Sequence, residues 1–310
     1  MQAAVPDHGI ALQEGVVIAP QQGFAYLMRS GGIDAVDLAS GAVRWHAKSA
    51  AKPLALAGDR LVAQADSRGG NALKLVVLDA RSGTARDSVR IPLPAGVAAT
   101  VVDGPGTSFR VRADSAGASK VVVQWQATKT AGAGPLQGYL PAENDGAPAK
   151  ALAPKIVSGQ TEIDLGAALK MNASRSAPAE GSAAETRDAL QELRTPAVAA
   201  EGRQLLSADG RHVLVIEPIN AAEFTLERYR WTVYERESGA RLGSVSSMVS
   251  AAPFLVVGTT LYYREPSHGT VQKGRFVEAP PALRAVNLQT GAEMWKSAIS
   301  ETAFQGPFPP

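Results

Sequence analysis

The chain has 310 residues, and its 31 Lys and Arg against 29 Asp and Glu give a formal charge of +2. This balance argues against an intrinsically disordered chain and against a nucleic-acid-binding protein. Because the chain has no cysteine, disulfide frameworks, thiolate nucleophiles and cysteine-based zinc or iron–sulfur sites are excluded. No window approaches the roughly 18 consecutive apolar residues of a membrane-spanning helix, so no such segment is predicted.

Short apolar strands around tight turns dominate the chain from its beginning. Pairs of strands are predicted at 16–19 and 24–28, 53–57 and 60–65, and 254–257 and 261–264. A further hairpin is predicted at 108–113 and 120–128, with 160–165 as its outer strand. Residues 131–200 read as a loop-rich insertion, since Gly, Pro, Ala and Ser are abundant there. Within it, the capping-box spacing of Ser182 and Glu185 predicts one short helix at 183–194.

A turn motif recurs four times after such strands, with an acid or amide four residues before a glycine. The four pairs are Asp37 and Gly41, Asp79 and Gly83, Glu235 and Gly239, and Asn287 and Gly291. Asp, Asn, Ser and Thr side chains can hydrogen-bond the turn amides, and glycine adopts the positive φ of a hairpin turn at little cost. We therefore interpret these positions as structural and not as catalytic residues.

The motif resembles the PQQ-like β-propeller repeat, Ala-x-Asp-x-x-Thr-Gly-x-x-x-Trp. The resemblance implies one all-β domain over residues 1–310, a five-bladed β-propeller of four-stranded antiparallel blades, with the 131–200 insertion inside it. In that family the tryptophan packs between blades, which implies this role for Trp45 and Trp295. Asp87 and Gly243 stand at the tryptophan position of the other two copies. A sixth blade would have to lie at about 133–200, where strand-like runs are too few.

The same resemblance implies a function in recognition. Similar propellers serve as non-catalytic modules in outer-membrane assembly, so we expect protein partners, such as an envelope complex, and a periplasmic or outer-membrane-associated location. No cofactor, metal or catalytic residue is assigned. Residues 1–7 do not follow a signal-peptide pattern, which fits a mature chain whose targeting segment has been removed and fits a cytosolic chain equally well.

Two enzyme classes stay open as alternatives. The first is a quinoprotein-like oxidoreductase. Members of that class resemble propellers with more blades than are predicted here, and they commonly have a vicinal cysteine pair, which this chain lacks. A glycosidase or lactonase would need paired carboxylates or a metal at the central channel, which a linear sequence cannot place. The four histidines, His8, His46, His212 and His268, show no metal-ligand spacing. Ser49 and Lys52 have the spacing of a serine–lysine nucleophile pair, but they link two predicted blades.

Overall fold

A computed structural model describes residues 9–13, 15–66, 71–101, 107–117, 119–129, 155–166, 170–171, 175–178, 191–193, 195–219, 228–272 and 275–300. In these ranges the chain is all-β, and its strands form five consecutive antiparallel sheets with one additional hairpin. The residues outside these ranges include most of the predicted insertion and the C-terminal residues 301–310.

The first two sheets follow each other directly along the chain. The first contains, in order, β1 (Ile10–Gln13), β2 (Val16–Ala19), β3 (Phe24–Arg29), β4 (Gly32–Asp37) and β5 (Val43–Ala47), with a single 3-10 turn at Pro20–Gln22. The second contains β6 (Lys52–Ala57), β7 (Arg60–Gln64), β8 (Ala72–Asp79) and β9 (Ala85–Pro92). In both sheets the strand order in space equals the order in sequence.

The third and fourth sheets contain more residues between some of their strands than the first two sheets do. The third is built from β10 (Thr107–Ser115), β11 (Lys120–Lys129), β12 (Lys155–Asp164), β13 (Lys170–Met171) and β14 (Arg175–Pro178), and both β13 and β14 pair with β12. The fourth is built from β15 (Gln191–Glu192), β16 (Arg203–Leu206), β17 (His212–Ile219), β18 (Arg228–Glu235) and β19 (Arg241–Ser247). Strands β12 to β15 therefore lie within the stretch predicted to be a loop-rich insertion.

The fifth sheet is interrupted by a hairpin. After β20 (Phe254–Val257) and β21 (Thr260–Glu265), the chain forms the separate ribbon β22 (His268–Gln272) and β23 (Arg275–Ala279). It then returns to the sheet as β24 (Ala282–Asn287) and β25 (Glu293–Ala298). The fifth sheet thus has four strands, and its last two, β24 and β25, follow the β22–β23 ribbon in the sequence.

The helix predicted at 183–194 is wrong where the structure describes it. Residues 191–192 form strand β15, in which Gln191 and Glu192 pair with Leu206 and Leu205. The edge of β16 offers these two residues an antiparallel ladder, which replaces the helical hydrogen bonds that a capping box would begin. The capping-box residues themselves lie outside the described ranges. The described ranges contain no helix with the length and apolar character to cross a bilayer.

The apolar faces of the sheets pack on one another in a defined order. Separate buried clusters join the third sheet to the second, the second to the first, the first to the fifth, and the fifth to the fourth. The first and last sheets of the chain therefore meet, around Leu27 and Tyr262. Ile299 is buried in the same cluster, and the Ser300 amide donates to the Met28 carbonyl at 3.0 Å.

The array is not closed into a ring, which corrects the expected architecture. None of the buried clusters in the described ranges contains side chains from both the third and the fourth sheet. The face of the third sheet that turns away from the second is polar, and Arg110 and Gln124 are exposed on it. On the fourth sheet, Val213 packs against Val198 of its own preceding loop, which Gln204 holds through its amide group. The described sheets thus form an arc whose two ends are the third and fourth sheets.

Candidate interaction surface

The repeated turns share one hydrogen-bond geometry. In the first copy, Asp37 Oδ1 accepts from the amides of Ala39 at 3.1 Å and Ser40 at 2.9 Å, and from the Ser40 hydroxyl at 2.9 Å. The Gly41 amide donates to the Asp37 carbonyl at 2.8 Å, with φ at 72°. Because φ is in the left-handed region, the turn favours glycine there. The Asp37 carboxylate thus accepts hydrogen bonds from turn amides that have no partner in a neighbouring strand.

The other copies repeat this arrangement with different side chains. Asp79 accepts from the Arg81 amide at 3.0 Å and the Ser82 amide at 2.9 Å, while Asn287 accepts from the amides of Gln289 and Thr290 at 2.9 and 3.0 Å. Gly83, Gly239 and Gly291 have φ of 72°, 68° and 70°. In the fourth sheet, the carboxylate of Glu235 accepts from the Ser238 hydroxyl.

Arginines on β5 and β9, the last strands of the first and second sheets, hold Asp37 and Asp79 in their ionised form. Arg44 donates to Asp37 Oδ2 from Nη2 at 2.7 Å and from Nε at 3.2 Å. This hydrogen bond, with the Ser40 amide and hydroxyl, lowers the pKa of Asp37 to about 2. Arg86 pairs with both Asp79 and Asp59, and its hydrogen bond to Asp79 lowers the pKa of that carboxyl to about 2. Both carboxylates therefore remain charged acceptors within the turn at neutral pH.

Two donors from one sheet meet on a single carbonyl of the next sheet, an arrangement we call the carbonyl clamp. Trp45 Nε1 donates to the Ala80 carbonyl at 3.2 Å, and the Tyr26 hydroxyl shares its one proton between this carbonyl at 3.1 Å and Gln22 Oε1 at 2.9 Å. Trp295 Nε1 and the Tyr262 hydroxyl donate to the Leu38 carbonyl, at 2.9 and 3.1 Å. Ala80 and Leu38 each follow the repeat aspartate, so the clamps are equivalent. Burial raises the pKa of both tyrosines, which keeps their hydroxyls protonated as donors.

The indole rings of the clamps also cover the turn glycines. An ideal Cβ on Gly83 would lie 2.6 Å from Trp45 Cε3, and one on Gly41 would lie 2.6 Å from Trp295 Cγ. The structure thus seats Trp45 of the first sheet on the second, and Trp295 of the fifth sheet on the first. Tyr26 and Tyr262 were not singled out from the sequence.

The second and fourth sheets have no tryptophan at the repeat position, and the fourth packs against its neighbouring sheet by other contacts. At Gly243 the fourth sheet comes so close to the fifth that an ideal Cβ would lie 1.9 Å from the Leu288 carbonyl oxygen. Trp231 of the fourth sheet packs edge-on against Tyr263, with ring centroids 5.0 Å apart. On the second sheet, Asp87 is exposed and accepts from the Ser88 amide at 2.7 Å.

In the first and fifth sheets, charged side chains on neighbouring strands pair with each other. Glu265 is fully buried and accepts from Arg284 and Lys296, both at 2.7 Å. At the equivalent positions of the first sheet, Asp34 pairs with Arg29 at 3.0 Å and with His46 at 2.6 Å. Two of these three positions carry opposite charges in the two sheets, Arg29 against Glu265 and Asp34 against Arg284, whereas the third is a basic residue type in both, His46 and Lys296.

The catalytic patterns considered from the sequence are not assembled in the described ranges. His46, His212 and His268 lie on different sheets or hairpins, and His8 is outside the described residues. Ser49 is exposed, whereas Lys52 begins β6 and is buried, so this pair lies on an extended segment. Among the described His, Asp and Glu side chains, no group of three is close enough to hold a metal ion.

Four sheets each end in a strand with an exposed edge, namely β5, β9, β19 and β25, and we call these four strands together the outer-strand surface. Each is the last strand of its sheet and pairs with a neighbour on one side only, within the described part of the chain. Charged residues such as Arg86 and Arg241 are exposed on it, and so are Val43 at 52% and Met294 at 44%. Such an edge has free backbone donors and acceptors, and charges protect it from uncontrolled pairing.

Comparison with known proteins gives no close relative. No protein-family model matches the chain, and no curated protein matches it significantly. Among solved structures, hydrazine synthase of Kuenenia stuttgartiensis is 16% identical with a TM-score of 0.31, and the match covers 71% of this chain and 51% of that one, about half its length. The uncharacterized protein lmo1340 of Listeria monocytogenes EGD-e is 8% identical with a TM-score of 0.27, covering 95% and 94% of the two chains. The quinohemoprotein alcohol dehydrogenase of Comamonas testosteroni is 10% identical with a TM-score of 0.21, covering 92% and 59%. The likeness to this last protein is weak, and it carries no conclusion about activity.

Proposed function

We propose that the chain is a non-catalytic binding module whose five sheets are arranged like propeller blades and whose outer-strand surface and loops recognise another protein. The observation that carries this proposal is that the turn carboxylates have hydrogen-bond partners within the fold, whereas the edges of four terminal strands have no neighbouring strand in the described ranges. The partners of Asp37 and Asp79 are turn amides and arginines, and the four strands are β5, β9, β19 and β25. Exposed strand edges are a common mode of peptide and protein recognition.

The location that goes with this proposal is the bacterial envelope, as the repeat resemblance implies, and the partner is a protein of an envelope complex. Cell fractionation of the source organism tests the location directly. Recovery of the chain in the cytosolic fraction alone would contradict it.

Site-specific photo-crosslinking tests the binding role and its place on the molecule. A photoreactive amino acid at Ser88 on β9 or Ser246 on β19, both exposed, is expected to give adducts with a protein partner in the source cells. Gln124 on β11 is the matched control, because it is also exposed but lies on an inner strand between β10 and β12. Adducts at Gln124 alone, or native mass spectrometry that finds a stoichiometric quinone, would overturn the proposal.

A further inference from the structure

Two basic side chains lie next to each other where the outer-strand surface meets the neighbouring strand β8. Lys74 of β8 and Arg90 of β9 are directly opposite each other in the antiparallel register, so their side chains share one face. Arg90 is exposed and Lys74 is partly exposed. In the described part of the chain neither side chain has an ion pair or hydrogen bond. Like charges in this position destabilise a sheet.

The equivalent position in the fourth sheet shows how the fold compensates such a charge. Arg230 of β18 stands where Lys74 stands in β8, counted from the turn acids Glu235 and Asp79. Its neighbour across the ladder is Glu217, with 4.0 Å between Arg230 Nη1 and Glu217 Oε2. Its neighbour on β19 is the uncharged Ser246.

In the second sheet, neither of the two residues across from Lys74 can compensate its charge. The residue that corresponds to Glu217 is Ala65, whose amide donates to the Lys74 carbonyl at 2.9 Å. The residue that corresponds to Ser246 is Arg90, which adds a second positive charge. Arg44, Arg86, Arg284 and Lys296 of these strands and their neighbours are paired with carboxylates, and Arg241 donates to the Ser244 hydroxyl at 2.8 Å. Lys74 and Arg90 have neither kind of partner within the described ranges, and they face each other.

We propose that Lys74 and Arg90 form a docking site for an acidic, extended segment of the partner protein, an inference that rests on the proposed function and names its partner chemistry. Carboxylates of that segment supply the negative charge that the second sheet lacks. The segment lies along β9, which has no strand on its outer side within the described ranges. A two-charge site of this kind suits a few carboxylates, whereas polyanionic nucleic acid is usually held by many phosphate contacts.

The backbone of β9 sets which part of the strand the segment approaches. The Ser88 amide is already bonded to the Asp87 carboxylate, and Pro92 has no amide hydrogen. Both features discourage a full additional strand along β9, because an incoming chain would lose ladder bonds there. The contact is therefore centred on the Lys74 and Arg90 side chains, and it is expected to be salt-sensitive.

The test uses the charge reversal R90E in the full chain, with R110E as its matched control. Arg110 is also an exposed arginine on an antiparallel strand, and it is opposite the uncharged Gln126. The probe is a 12-residue peptide of alternating Glu and Thr, measured at low salt beside a Lys and Thr peptide of equal length and a 12-nucleotide oligo-dT. We expect wild type to bind the Glu and Thr peptide alone, and R90E to weaken that binding about tenfold or more while R110E leaves it unchanged.

The same variant has a second readout, which tests the like-charge repulsion between Lys74 and Arg90 on which the site is argued. In R90E the residue opposite Lys74 becomes acidic, so repulsion is replaced by attraction and the melting temperature is expected to rise by about 2 °C. Equal loss of peptide binding in R90E and R110E, preferred binding of oligo-dT, or no binding by wild type would each overturn the acidic docking site. If crosslinks at Ser88 persist in R90E cells, the binding role stands and only this site is wrong.

Discussion

The indole of Trp295 occupies the space that a β-carbon on Gly41 would need, although 254 residues separate them in the chain. An ideal Cβ on Gly41 would lie 2.6 Å from Trp295 Cγ and 2.7 Å from Trp295 Cβ. The same relation links Trp45 to Gly83. The turn glycine thus has two roles, a positive φ and a flat seat for the ring of the preceding sheet, and the two roles can be separated by mutation.

The first prediction separates them with G41A and G239A. Both glycines have a positive φ, 72° and 68°, so alanine costs about 1–2 kcal/mol at either position through the backbone alone. Gly239 has no heavy atom within 4 Å of an ideal Cβ, whereas Gly41 has the Trp295 ring. G41A is therefore expected to lose about 1–3 kcal/mol more than G239A in urea unfolding, as overpacked sites do. Equal losses would show that the ring moves aside freely.

Much of this arrangement could be predicted from the sequence, because it is local. The strands predicted at 16–19 and 254–257 have these same bounds in β2 and β20, and 24–28 is one residue shorter than β3. Alternating apolar residues and turn glycines determine such elements through contacts of a few residues.

The clamp tyrosines show where prediction from sequence ends. Tyr26 precedes Asp37 by 11 residues, but Tyr262 precedes Asn287 by 25, because the hairpin β22–β23 is inserted between β21 and β24. The equivalence of the two tyrosines is therefore visible only in the strand register. The gap between the third and fourth sheets is likewise a property of packing, since Arg110 and Gln124 alternate with buried residues as on any solvated sheet face.

The second prediction concerns the shared acceptor of the clamp. The Leu38 carbonyl keeps one donor when either Tyr262 or Trp295 is replaced by Phe, and it loses both in the double variant. A buried carbonyl without a donor costs about 1–3 kcal/mol, so Y262F/W295F is expected to lose more than the sum of its single variants.

The control for that cycle is Y262F combined with W45F, since Trp45 bonds to Ala80 in the other clamp. These two changes are expected to add within about 0.5 kcal/mol. Denaturant unfolding of all variants measures both couplings. Additive losses in the Y262F/W295F cycle would mean that the Leu38 carbonyl finds another donor, such as water.

The third prediction is a dependence of stability on acidic pH. The pKa values of Asp37 and Asp79 are lowered to about 2 in the folded chain, below the ordinary value near 4. Their contribution is therefore fully present above about pH 4, and it is lost as the pH falls from about 4 towards 2, where the unfolded chain binds protons first. Both side chains are near solvent, so added salt is expected to weaken the effect.

The matched variants for the pH experiment are D37N and D79N. Asn287 shows that an amide oxygen can accept the same turn amides, so these variants keep the turn while removing the charge. The free energy of unfolding, followed from pH 5 to pH 2, is expected to fall less steeply in the double variant than in wild type. Curves of identical slope would assign the acid sensitivity to other carboxyls.

The fourth prediction tests whether the repeat tryptophan can be restored in the fourth sheet, where the sequence motif lacks it. G243W would give the fourth copy the tryptophan of the repeat, yet the Leu288 carbonyl oxygen lies 1.9 Å from an ideal Cβ at this position. The backbones of the two sheets would have to separate, so we expect a loss of about 3 kcal/mol or failure to accumulate as soluble protein. D87W places the same side chain at the equivalent, exposed position of β9, and there a change within about 1 kcal/mol is expected. Thermal unfolding of both variants measures the contrast, and a G243W chain as stable as wild type would show that the fourth and fifth sheets can re-form the ring-on-turn contact of Trp45 and Trp295.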